Sequence, residues 1–106
     1  MNSADRTAAE IVTYVALERD DMASVRASDL LSQTSYLITR WDAQLSEQSK
    51  NNLLSAREQL TFIHEELTSK VLKDLALTEK ARVAQACQRV NTIFSEEYGA
   101  AVRAGD

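Results

Sequence analysis

His64 and Cys87 are the only histidine and the only cysteine in the 106 residues, and they are the first places to look for chemistry. A histidine titrates near neutral pH, so His64 is a candidate for proton transfer or for accepting a phosphoryl group. A cysteine attacks as the thiolate, and only with a base and an orienting group close by. Metal binding is the third possibility. A di-iron site in a bundle core needs Glu-x-x-His pairs on two helices, but Thr61 stands three residues before His64 and there is no second histidine. Glu65 and Glu66 are adjacent, so on a helix they splay by about 100° and cannot share one ion. Zinc held by one histidine and one cysteine would need two carboxylates besides. The sequence has no glycine-rich phosphate loop and no serine elbow. The expectation is therefore no metal site, no cofactor site and no enzyme.

The elements that would carry these residues are helices. Positions 1–98 contain no proline and no glycine, the residues that punctuate turns and strand ends. A first apolar stripe runs through Ala4, Ala8, Ile11, Val12, Val15 and Met22, with Ser3 as a cap. The stripe then loses phase, since Val25 to Leu30 is a five-residue step amid Asp20, Asp21, Ser24, Ser28 and Asp29. This predicts a break at 20–28, with Ser28 capping the next helix. That second helix carries Leu30, Leu31, Leu37, Ile38, Trp41 and Leu45, and Trp41 is expected to anchor it in the core.

The polar stretch 46–52 predicts the second break. The third stripe, Leu53, Ala56, Leu60, Ile63, Leu67 and Val71, steps almost like a coiled-coil seam, with Lys70 and Lys73 in its last turn. A third break at 74–78 precedes Thr78 as a cap, and a fourth helix buries Val83, Ala84, Cys87, Val90, Phe94, Tyr98 and Ala101. Gly99 could end that helix early. The predicted fold is all-α: an up-and-down antiparallel bundle of about four helices in a single domain spanning 1–106. A three-helix form, with residues 4–45 as one rod, is the alternative.

Charge and composition narrow the classes of partner. Twelve Lys and Arg against sixteen Asp and Glu give a net charge of −4, with the signs interspersed. That argues against a nucleic-acid surface, which needs a basic stripe, and against an anionic membrane. Arg82, Arg89 and Arg103 are interleaved with Glu79, Glu96 and Glu97 and form no such stripe. No apolar run is long enough to span a bilayer. The stretch 11–17 is short for a signal peptide and follows Glu10 rather than a basic region. A lone cysteine suits a reducing compartment, so a cytoplasmic location is expected.

In helical angle His64 falls within the apolar arc of the third helix, about 40° from Leu60. It is expected to be part-buried and hydrogen-bonded to Asn91 or to a carboxylate, and Cys87 to be a small buried hydrophobe. Histidine phosphotransfer domains are similar in architecture, being small four-helix bundles with one exposed histidine. Their lysine three residues on and glycine four residues on are replaced here by Leu67 and Thr68.

What stands above background is apolar surface left over once the core is assigned. Phe62 points about 160° from Leu60, and Leu54 and Leu72 lie about 120° off the same seam. A helix apolar on two sides is packed on two sides. Leu54, Phe62 and Leu72 are thus the candidate interface. The function expected is a protein–protein interaction module: an adaptor, an assembly subunit or a small export-type chaperone, acting as a homodimer. A signalling bundle using His64 is the alternative.

Overall fold

The computed structural model describes residues 3–69 and 71–105, and the side chains of residues 6–69 and 71–97. Four helices follow in order: α1 (Ser3–Ala16), α2 (Asp20–Arg40), α3 (Glu47–Ser69) and α4 (Leu77–Gly105), with a 3₁₀ turn at Leu72–Asp74 before the last. No strand occurs among the described residues. Each helix packs on the next and α4 packs on α1, which closes an up-and-down ring. The three-helix alternative fails because α1 and α2 are separate elements.

The first break comes earlier than the sequence suggests, at residues 17–19 rather than 20–28. Glu18 adopts a left-handed backbone, φ 55°. Around it the Glu18 N–H donates to the Val15 carbonyl at 3.1 Å and the Arg19 N–H to the Tyr14 carbonyl at 2.8 Å. Those two bonds make a Schellman stop, which glycine normally supplies. Asp20 and Asp21 belong instead to the first turn of α2, where their charge favours the helix dipole. Ser28 lies inside α2 and caps nothing. The missing phase is carried by small residues, since the buried side of α2 is Ala23, Ala27, Leu30 and Thr34. Thr34 hides its hydroxyl by donating to the Leu30 carbonyl at 2.6 Å.

The second break occupies residues 41–46, just before the polar stretch that was expected to hold it. Ser46 is the cap of α3, accepting the Ser49 N–H on its Oγ at 3.0 Å. Lys50 then reaches back to Asp42, Nζ to Oδ1 2.7 Å, and this hydrogen bond raises the lysine pKa. Trp41 is a correction to the sequence expectation: it is 43% exposed. It sits just past the end of α2, where the Arg40 guanidinium lies 5.3 Å over its ring.

The third break covers 71–76 among the described residues, and Lys70 lies outside them. Thr78 is not the cap, because α4 begins at Leu77 and the Glu79 carboxylate accepts the Ala76 N–H at 3.4 Å. Leaving the helix at Ser69 exposes Val71 and buries Leu72, the reverse of the seam extrapolated from α3. The Asp20 carboxylate fixes that turn by accepting the Leu72 N–H at 2.9 Å, tying the first and third connections together at one end of the bundle.

In α4, Val83, Cys87, Val90 and Phe94 are buried as expected, but Ala86 and Ile93 join them while Ala84 is exposed. Gly99 does not stop the helix, which continues to Gly105. The side chains of Ala4, Tyr98 and Ala101 lie outside those described.

The helices differ in length, and this shapes the molecule. At 1.5 Å per residue α1 is about 21 Å long and α4 about 43 Å, in a bundle of 44 × 20 × 20 Å. One end, around Asp20 and Leu72, is thus a full four-helix section. Toward the end at residues 41–46, α1 runs out. There Leu37 and Ile38 are half-buried and Tyr36 is exposed.

Candidate interaction face

Taken in helical angle from the core, α3 has two flanks. Asn52, Ser55, Gln59, Phe62 and Glu66 fall on one, and Arg57, His64 and Thr68 on the other. The first flank faces α4: Asn52 Nδ2 donates to Glu97 Oε1 at 2.7 Å. Next to this bond a groove of about 480 Å³ runs between α3 and α4, lined by Gln59, Phe62, Arg82, Gln85, Ala86 and Arg89. Phe62 is half-buried, with part of its ring against the core and part on the groove.

The three interface candidates are placed differently. Phe62 is at the groove. Leu54 is half-buried about 80° around the helix from it, on the outer side of α3 toward α2. Leu72 is not at the surface at all. It is 1% exposed, a core residue of the 3₁₀ turn, and this corrects its sequence assignment. The cause is the end of α3 at Ser69, beyond which angles projected along that helix lose meaning.

Sequence reasoning passed over the groove's polar walls. Arg82 and Arg89 form no basic stripe, and what matters is their spacing. Seven residues apart on α4, they share a flank and stand about 10.5 Å apart along the axis. Both are exposed, and among the described residues neither forms an ion pair. On the outward side of α3, Glu58 and Glu65 repeat the same spacing, are also exposed, and are also without an ion pair.

The residues singled out for chemistry sit elsewhere. His64 is half-buried on the opposite flank of α3, with Nδ1 buried and without a hydrogen-bond partner. Asn91 cannot supply one: its angle on α4 turns it toward α1, while His64 turns toward α2. Cys87 is 1% exposed, and burial pushes its thiol up to about 12. It backs a cavity of about 260 Å³ between α1 and α4 whose walls include Val12, Val15, Leu72 and Ala84. Such a thiol is held neutral, and His64 is on another face of the bundle. Among the described residues no three His, Cys, Asp or Glu side chains are grouped to hold a metal ion. No helix among them is long and apolar enough to cross a membrane.

No family model, curated protein or solved structure matches the chain. The geometry of the face is therefore what bears on function.

Proposed function

We propose that this protein is an interaction module that binds another protein surface through the outer face of α3 and its groove with α4. The observation that carries the reading is Phe62, an aromatic ring half out of the core at the base of a groove with polar walls. An aromatic anchor ringed by polar side chains is the usual anatomy of a small interface, with Gln59, Gln85 and the two arginines as its rim. Helix-on-helix packing is the mechanism, since the face offers only two helices and the trough between them. Adaptor, assembly subunit and export-type chaperone all fit such a face, and a cytoplasmic location fits a single free cysteine with no disulfide partner in the chain. The half-buried setting of His64 favours this reading over phosphotransfer, which needs a histidine that a partner's active site can reach.

A photo-crosslinking residue at position 62 of the full chain, activated in the native host, tests the proposal. A discrete adduct with a protein, lost in a Gln59→Arg, Gln85→Arg background that crowds the groove, is the expected result. A folded protein that gives only diffuse, background labelling would overturn it.

A further inference from the structure

The occupant of this face can be named from its charges. We propose that a second copy of the chain docks there about a two-fold axis near Phe62, with Glu58 and Glu65 of each copy set against Arg82 and Arg89 of the other. The inference rests on the reading of the α3 face as an interface and names its partner.

The argument begins with register. The bond from Asn52 to Glu97 fixes how the antiparallel helices α3 and α4 lie side by side. Equal steps from that bond bring Phe62 level with Cys87, so Arg89 lies just to one side of the phenylalanine's level and Arg82 to the other. On α3 itself, Glu58 precedes Phe62 by a little over one turn and Glu65 follows it by a little under one. Both charged pairs therefore bracket the same aromatic ring.

The second step is the match in spacing. Glu58 and Glu65 are seven residues apart, as are Arg82 and Arg89, and both intervals amount to about 10.5 Å. In an isologous contact the same patch meets itself, so a patch carrying both signs at equal spacing is complementary to its own copy. Two carboxylates of one copy can then meet two guanidiniums of the other at once, and the reciprocal set forms by symmetry. All four side chains are exposed and none is occupied by an ion pair among the described residues, so no existing bond has to break. Glu66, on the same flank of α3 as Phe62, forms no ion pair with Arg82 and keeps one carboxylate oxygen buried.

The third step is what lies between the charges. Phe62 and its copy approach each other at the axis, with Leu54 of each chain on the adjoining outer side of α3. The rings supply the apolar centre, and the charges fix orientation and exclude other partners more than they add affinity.

The experiment is a charge swap read by sedimentation and light scattering, with circular dichroism confirming that each variant is folded. The wild type is expected to sediment as a dimer that weakens as salt rises. Arg82→Glu with Arg89→Glu leaves both halves of the patch acidic, and Glu58→Arg with Glu65→Arg leaves both basic. Each variant alone is expected to lose self-association by on the order of 100-fold, because like charges now meet in register. Mixing the two is expected to restore a one-to-one dimer. A milder pair, Arg82→Gln with Arg89→Gln, should weaken the dimer without repulsion and serves if a swapped variant fails to fold.

A monomeric wild type at its solubility limit would overturn the proposal. So would dimers that persist in both swapped variants, or swapped variants that fail to recover on mixing. A monomeric wild type that still gives a discrete adduct with a different protein from position 62 would leave the interaction role standing and remove only self-association.

Discussion

Glu18 is the residue on which the first turn depends, and its backbone sits in a region that costs an L-residue about 1–2 kcal/mol. Glycine adopts that conformation freely but loses more chain entropy on folding. Glu18→Gly is expected to stabilise the protein by about 0.5–1 kcal/mol, seen as a thermal midpoint a few degrees higher. A lower midpoint would mean that the Glu18 side chain contributes more than its backbone costs. Cys87 supports a pH prediction. Its thiol is neutral in the fold up to about 12, whereas the unfolded chain ionises near the ordinary 9.0. The raised folded pKa means that the stabilisation is complete below about 9 and is lost as pH climbs from there through 12. Urea unfolding of Cys87→Ala should therefore show a flatter decline across that window than the wild type. A parallel decline would place the thiol in water. His64 differs from its sequence expectation in having no partner at Nδ1. His64→Leu should then be neutral or stabilising by up to about 1 kcal/mol, because an orphaned polar atom is removed. A loss larger than that, by urea titration, would reveal a bond that the histidine makes.

At the scale of elements, α2 depends on being thin where it meets its neighbours. Ala23 and Ala27 are fully buried, with Leu30 and Thr34 further along the same side. Ala27→Leu would force extra carbon into a closed contact and should cost about 1–3 kcal/mol in chemical unfolding. A neutral result would reveal room that the packing does not show. The caps matter for the same element-level reason. Two helix starts are held by acceptors from different sources: the Ser46 hydroxyl for α3 and, in reverse, the Glu79 carboxylate holding the Ala76 N–H for α4. Neither requires proline or glycine, so helices can follow one another closely in a chain that has almost none.

Across the whole molecule, the short α1 divides the bundle into a four-helix end and a thinner end. The Asp20 bond to the Leu72 N–H ties the first of these, whereas the second closes through the half-buried Lys50 and the exposed Asp42. Backbone amides of α2 near residues 37–40 should therefore exchange hydrogen faster than those around Ala27 and Leu30. Uniform protection along α2 would mean that the two ends unfold as one unit.

The absence of proline and glycine from positions 1–98 and the strict stripe of α3 determined an all-α bundle, and the buried positions Leu53, Ala56, Leu60, Ile63 and Leu67 were legible in that stripe. They were legible because a 3.6-residue period acts on neighbours within one helix. Helix boundaries were less so. The turn at Glu18 carries no glycine, and the alanines of α2 are too small to register as a stripe, so the first break comes earlier than the sequence suggests. The placement of Phe62 and Leu54 on the outer part of α3 could be read as angle, but not which helix lies beside them. Leu72 and Trp41 changed sides because each sits just past a helix end, where the chain's direction is set by contacts such as Asp20 with Leu72 rather than by the preceding period. The juxtaposition of Phe62 with Arg82 and Arg89 belongs to tertiary structure alone. It brings together positions some twenty or more residues apart, and only the packing register of α3 on α4 fixes that.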